Sequence, residues 1–333
     1  MAEDNMKFYN KVEAKEKINV LGAQDAPFLF VTDYIMEHNY VSLLSEVCQD
    51  EVLYSFPSWN NDEGQCPDLS VQQVEWLIHP KSVESYQRKF QAVQRHLHAG
   101  NSFLTNLTCR IPVSTNLSLR DIYLRSQALY KLWFRSHLVC FSPEIFIRIE
   151  EGRVSGYPMK GTIDATLPNA DKVLMADEKE AAEHATIVDL IRNDLSIVAS
   201  QVRVPRYRYI DRLHTNKGDI LQTSSCIEGI LPDDYRQHLG DILFSQLPAG
   251  SITGAPKPKT VEIIRETEDY ERGFYTGVMG ICEAGRMESA VMIRFIEQEG
   301  TEMFFKAGGG ITARSKWENE YNEIIQKAYV PIY

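Results

Sequence analysis

No run of about 18 apolar residues occurs in this chain, so no segment is expected to span a bilayer as a helix. The start, Met1-Ala2-Glu3-Asp4, is acidic and carries no apolar core, so no secretory signal is expected there. Cysteine is sparse and scattered: Cys48, Cys66, Cys109, Cys140, Cys226 and Cys282 form no C-x-x-C pair and have no histidine spacing for zinc. They read as reduced, structural thiols, and a cytoplasmic location is expected. Positive charge is in deficit, 35 Lys and Arg against 46 Asp and Glu, for a net charge of −11. This argues against general nucleic-acid binding and against binding to anionic membranes. Three catalytic signatures are also missing. Glu183-His184 is no part of an H-E-x-x-H motif. The loop from Gly250 to Lys257 is no Walker motif, because Ala-Pro separates Gly254 from Lys257. No cysteine sits in a glycine-flanked elbow with a paired histidine, so no glutaminase triad is expected.

Apolar residues make up 44% of 333, enough for the core of one large β-rich domain. A short N-terminal region, 1–75, is expected to pack on a catalytic domain over 76–330 as one continuous unit. Strands are expected at Pro27–Val31, Phe103–Val113, in two runs across His137–Ile149, at Arg153–Gly156 and within 201–231. Further strands are expected at Phe274–Cys282, Met287–Ile296 and Met303–Lys306. Helices are expected at Ser82–His98, Ser118–Trp133, Asp177 to about Ala199, Asp233–Leu247, about Pro258–Thr267 and from Ser315. Asn60–Gly64 reads as an exposed loop. The absence of regular strand–helix–strand alternation disfavours a doubly wound parallel sheet. The fold class expected is mixed α+β: antiparallel sheets forming a sandwich, with helices packed outside.

The polar residues without an easy structural reason begin with Tyr157-Pro158-Met159-Lys160-Gly161-Thr162. Pro158 fixes its φ and holds Tyr157 extended, while Gly161 permits a tight turn or close approach to a ligand. A lysine on such a rigid turn suits a nucleophile; the plainer alternative is a surface turn lysine. In the 177–199 helix, Asp177 and Glu180 have the spacing of a capping box, and Glu180, Glu183, Ile187 and Asp194 share one face. Glu183 should therefore point inward, where a carboxylate needs a partner or a metal. In the last helix Ser315 and Glu318 are spaced as a second capping box, and Glu320, Glu323, Ile324 and Lys327 share a face. The two Glu-x-x-Glu pairs together would form an all-oxygen pocket for a hard cation, Mg²⁺. Alternatively, Glu180 serves only the helix N-terminus and Glu320 is solvated.

Gly308-Gly309-Gly310 follows a strand and could expose backbone N–H groups as an anion nest. Arg294, in the apolar run Val291–Ile296, should face inward with Met292 and Ile296 and needs an anionic partner. A nest, an inward arginine and a metal imply a small substrate with more than one carboxylate.

Several stretches together resemble the chorismate-utilising enzymes, which include anthranilate synthase large subunits, aminodeoxychorismate synthase component I, and isochorismate and salicylate synthases. They are Ser142–Glu144, Pro158–Thr162, Glu183–Leu195, Gly250–Lys257, Gly277–Arg294 and Ala307–Glu323, in the family's order across residues 80 to 330. The resemblance implies a large α/β unit of antiparallel sheets sandwiched between helices. It implies that Glu183 and Glu323 hold Mg²⁺, with Glu180 and Glu320 behind them. Tyr275, Arg294 and the Gly308, Gly309 and Gly310 backbone would bind substrate carboxylates. Glu144 would be the acid for the departing C4 hydroxyl, and Thr253, Gly254 and Lys257 would belong to a loop closing over the substrate.

Anthranilate synthases usually carry alanine where this chain has Lys160, and aminodeoxychorismate synthases carry lysine. There the lysine is proposed to add at C2 as the C4 hydroxyl leaves, after which ammonia attacks C4. Burial beside Mg²⁺ should lower the pKa of Lys160 and free its amine. Isochorismate and salicylate synthases use a lysine near 103–110, and Phe103–Thr108 contains none. The nearest resemblance is thus to aminodeoxychorismate synthase component I. Chorismate and ammonia would be the substrates, with a glutamine amidotransferase subunit (component II) as partner. Anthranilate synthase component I and a non-catalytic chorismate-binding subunit are the alternatives. Gln222 departs from the family, standing where many relatives have histidine.

Overall fold

Phe28–Thr32 is buried on both faces. Leu29 and Val31 point into one apolar cluster while Phe28 and Phe30 point into another. A strand with no wet face must lie between two layers, and the rest of the chain supplies them. The computed structural model describes residues 6–67, 73–215 and 218–330. Every strand pairing in it is antiparallel.

One sheet has ten strands. Phe28–Thr32, Val278–Glu283, Arg286–Val291 and Ile145–Glu150 lie at its centre, and Arg153–Gly156, Gly218–Ile230 and Met159–Asp164 lead to one edge. The other sheet has nine, running through Leu104–Thr115, Glu302–Ile311, Phe295–Glu299, Leu138–Ser142, Tyr130–Phe134 and Val52–Phe56. Between the sheets lie Leu29, Val31, Leu132, Phe134, Leu138, Met279, Ile281 and Phe295. Helices Lys11–Ala23, Glu178–Leu195 and Leu239–Gln246 cover the outer face of the first sheet. Helices Val83–His98, Leu119–Arg125, Lys257–Thr267 and Trp317–Lys327 cover that of the second. The expected α+β sandwich with helices outside is the observed fold. Residues before 76 supply strands to both sheets. Among the described residues no helix is long and apolar enough to cross a membrane.

Several boundaries differ from expectation. The helix expected over Ser118–Trp133 ends at Arg125, and Tyr130–Phe134 is a strand. Tyr130, Leu132 and Phe134 enter the intersheet core while Trp133 faces the helices, a period of two that overrides the helical reading. The 177–199 helix stops at Leu195. Asp177 accepts from the Glu180 N–H, but no reciprocal bond completes the box. The 233–247 helix is a short 3₁₀ turn at Tyr235–His238 followed by Leu239–Gln246. The strand expected from Phe274 begins at Val278. The last helix starts at Trp317, and the Ser315 hydroxyl accepts from the Thr312 N–H instead of capping it.

Candidate active site

Two segments pass from one sheet to the other side by side, and each brings a functional residue. Leu138–Ser142 belongs to the second sheet and Ile145–Glu150 to the first, with Pro143–Glu144 between them. Arg286–Val291 belongs to the first and Phe295–Glu299 to the second, with Arg294 at a left-handed φ of 54°. The Val291 N–H donates to the Glu144 carbonyl and the Phe141 N–H to the Arg294 carbonyl, so the crossings are stitched together. The expectation of one strand through Met287–Ile296 with Arg294 in alternation is therefore corrected: the run breaks where it changes sheet. Arg294 forms no ion pair among the described residues. Its guanidinium lies 5.8 Å from the Tyr329 ring and lines a cleft of about 320 Å³.

Glu144, Tyr275, Arg294, Lys160, Gly308, Gly309, Gly310 and Glu323 also line this cleft. Lys160 is on a strand, not a turn: it pairs with Thr223, and the register shifts at Gly161, whose φ is +75°. That bulge aims the lysine off the sheet edge. The Thr223 hydroxyl donates to the Lys160 carbonyl and fixes the backbone from behind. Lys160 Nζ lies 2.9 Å from Glu183 Oε2, on the Glu178–Leu195 helix. The helix is held to the sheet by His184, buried, with Nε2 2.7 Å from Ser225 Oγ.

Charge sets the protonation of the site. Burial pushes Lys160 down, but the charge and hydrogen bond of Glu183, with Glu180 and Glu323, push it above its ordinary value. The expected lowering of its pKa is thus corrected; here the amine is held as an ammonium. Glu144 is shifted up by burial, which outweighs the Ser251 hydroxyl at 2.5 Å and the charges of Lys160, Lys327 and Arg294. Glu180 and Glu320 are also shifted up, by burial first and by neighbouring glutamates. Burial raises Glu323, yet Lys327 at 2.5 Å brings it below the ordinary value.

The two Glu-x-x-Glu pairs lie on two helices, Glu178–Leu195 and Trp317–Lys327. Glu183 acts electrostatically on Glu320 across the two helices. A Cβ on Gly309 would stand 3.4 Å from Glu320 Oε2, and one on Gly161 would stand 3.1 Å from Glu180 Oε2. The glycines thus leave room beside the carboxylates. The donor set, oxygen only and acidic, fits Mg²⁺, which takes one or two protein carboxylates and keeps several waters. Among the described residues no three acidic, histidine or cysteine side chains converge on one point.

Other expected site residues fall elsewhere. Gly308, Gly309 and Gly310 continue the Glu302–Ile311 strand, pairing with Thr108, Leu107 and Asn106, so they form no nest. Pairing with Phe295–Glu299 ends at Lys306, which leaves their other edge open. A Cβ on Gly310 would stand 4.0 Å from Lys160 Nζ. Lys257 does not reach the cleft: it pairs with Asp194 at 2.7 Å and donates to the Gln246 carbonyl at 2.8 Å, pinning the loop's base. Gly254 pairs with Thr105 at a φ of +127°, where a Cβ would meet the Leu104 carbonyl. Thr253 is buried, and its hydroxyl has no partner among the described residues. Sequence reasoning missed Asn106 and Lys306, both in the cleft wall. Lys306 had a legible signal, since it shares a strand face with Gly308 and Gly310.

A cleft lined by residues of both sheets and bringing Lys160, Arg294, Lys327, Glu144 and Glu323 together has the chemistry to take a small anionic molecule. The chain belongs to the chorismate binding enzyme family, whose model matches residues 8–332. That membership makes it an enzyme acting on chorismate. It is 45% identical over 317 residues to an uncharacterized PabA-like protein of Haemophilus influenzae, covering 95% of this chain and 96% of that one. It is 34% identical over 257 residues to aminodeoxychorismate synthase component 1 of Salmonella typhimurium, covering 73% of this chain but 55% of that protein. The fold is similar to that of anthranilate synthase component I from Streptococcus pneumoniae, with TM-score 0.71 and 23% identity over 90% of this chain and 79% of that one. It is also similar to the menaquinone-specific isochorismate synthase of Escherichia coli, with TM-score 0.72 and 14% identity over 97% and 82%.

Proposed function

We propose that this chain is component I of an aminodeoxychorismate synthase. It would convert chorismate and ammonia to 4-amino-4-deoxychorismate for para-aminobenzoate and folate synthesis, with ammonia from a glutamine amidotransferase subunit. The observation that carries this reading is Lys160: an amine on a bulged strand, inside the cleft, facing the open position at Gly310.

Arg294 and Tyr275 receive the substrate's carboxylates from the crossing side of the cleft. Glu144, whose carboxyl is shifted up by burial, gives a proton to the C4 hydroxyl. Lys160 gives up its ammonium proton to solvent and adds as the neutral amine to C2. The C2–N bond forms, both ring double bonds shift, and the C4–O bond breaks, the hydroxyl leaving as water with the proton from Glu144. Ammonia then adds at C4, both double bonds shift back, and the C2–N bond breaks to return the lysine amine, which regains its proton from solvent. Mg²⁺ on Glu183 and Glu323 would hold the ring carboxylate and draw charge from the ring. Glu180 and Glu320 would stand behind these ligands as water-mediated partners.

The test is to incubate the purified chain with chorismate, Mg²⁺ and ammonium and identify the product by mass. Release of 4-amino-4-deoxychorismate supports the reading. Anthranilate with pyruvate would replace it by an anthranilate synthase, and recovery of unchanged chorismate would reject both.

A further inference from the structure

Each of the two glutamates assigned to the cation already holds a lysine. Lys160 Nζ lies 2.9 Å from Glu183 Oε2, and Lys327 Nζ lies 2.5 Å from Glu323 Oε1. The lysines are largely enclosed, 29% and 26% exposed at the side chain, and both line the cleft. Lys327 has a second anchor: its Nζ donates to the Gly308 carbonyl at 3.0 Å, on the open stretch of the glycine strand. Lys179 approaches the second oxygen of Glu183 at 3.7 Å. Glu180 and Glu320, by contrast, form no ion pair among the described residues. The ammonium groups therefore stand on the two carboxylates that would be inner ligands, and not on the two behind them.

We propose that Lys160 and Lys327 are internal counter-cations that occupy the divalent ion's places on Glu183 and Glu323 and set its affinity, because the ion must displace them. The inference rests on the assignment of Glu183 and Glu323 as cation ligands and adds to it a role for Lys327, which no step of the reaction uses.

The physical reasoning is one of competition. Two acidic pairs facing each other without compensation would repel, and an ammonium on each inner carboxylate relieves this at modest cost. With Lys160 on Glu183 and Lys327 on Glu323, each inner carboxylate is engaged by its own ammonium and not by a shared ion. A lysine is suited to this. It is a compact charge on a long flexible stem, and it can swing aside without moving the backbone. Lys327 has the Gly308 carbonyl to keep, and Lys160 has the cleft to enter.

The experiment needs no turnover. Mn²⁺ binding is followed by the loss of its free-ion paramagnetic signal, and Mg²⁺ binding by calorimetry. The samples are wild type, Lys327→Met, Lys160→Met, Lys327→Arg and Glu183→Gln. Near-ultraviolet circular dichroism establishes that each is folded, and the two Met variants lie on different elements, so one misfolding leaves the other. Each Met variant should bind Mn²⁺ about fivefold tighter than wild type or better, while Lys327→Arg stays within about twofold. The Met variants should also melt lower without metal and gain more from it. Met variants that bind Mn²⁺ equally or more weakly, with binding still lost in Glu183→Gln, would overturn the counter-cation role and leave the cation site standing. No binding by wild type at millimolar metal would overturn both.

Discussion

Lys160 shows how far one side chain depends on the backbone beneath it. The pairing to Thr223 and the bulge at Gly161 fix the direction of its Cα–Cβ bond, and Glu183 fixes the far end. Lys160→Ala should abolish formation of 4-amino-4-deoxychorismate by about a hundredfold or more, on the order of 3 kcal/mol of barrier. Chorismate affinity should change little, since Arg294, Tyr275 and Glu144 remain. Product rates and intrinsic-fluorescence titration check the two halves. An adduct mapped to Lys160 after incubating wild type with chorismate and no ammonia would support covalent addition; wild-type rates in the variant would return this residue to an ordinary strand lysine.

At the scale of elements, the Glu178–Leu195 helix must hold Glu183 against Lys160, and His184 is its fastening to the Gly218–Ile230 strand. Burial, then the charges of Arg208 and Lys160, lower the His184 pKa from 6.5 to about 4. Between these values the unfolded chain binds a proton that the folded chain does not, so stability rises with pH there. The contribution is complete above the unfolded value and is lost as pH falls toward the folded one, on the order of 3 kcal/mol in all. Urea unfolding across pH 6.5 to 4.5 should show this loss in wild type and a shallower slope in His184→Gln. Equal slopes would mean that other groups carry the acid sensitivity.

At the scale of the whole molecule, a buried ion pair joins the parts that frame the cleft. Arg272 and Glu268 are each 2% exposed and lie 2.7 Å apart. Arg272 also donates to the carbonyls of Asn106 and Ile252, and Glu268 accepts from the Thr108 N–H and hydroxyl. Arg272→Met should cost about 3–5 kcal/mol by leaving Glu268 charged and alone, with Arg272→Met/Glu268→Gln recovering part of it. Denaturant midpoints decide this; a loss within error would mean the network is slack. The whole chain should also fail to release glutamate from glutamine. Burial holds Cys109 and Cys282 up at about 12 and pushes Cys140 and Cys226 up as well, and a thiol must ionise to attack. An assay for free glutamate would expose any error, and glutamine use should appear when an amidotransferase subunit is added. Much of this architecture is written locally. Continuous apolar runs such as Phe28–Val31, the Ser82 and Asp177 caps, and the paired glutamates on one helical face were legible because each depends on neighbours within a few residues. What the sequence could not express is where a strand changes partner. Val291 to Phe295 reads as one apolar run, yet the chain kinks at Arg294 to leave one sheet for the other. The glycine strand reads as a nest, yet a neighbour 200 residues away keeps it extended. Lys257 reads as a substrate contact, yet Asp194 claims it. Lys160 is the sharpest case: its surroundings in sequence mark it as presented, but its charge state is set by Glu183, Glu180 and Glu323 on two distant helices. Local pattern determines which elements form and which faces are apolar, because those energies are short-ranged. Partner strands, ion pairs and proton affinities belong to the tertiary structure, because packing and electrostatics act through space, whatever the separation along the chain.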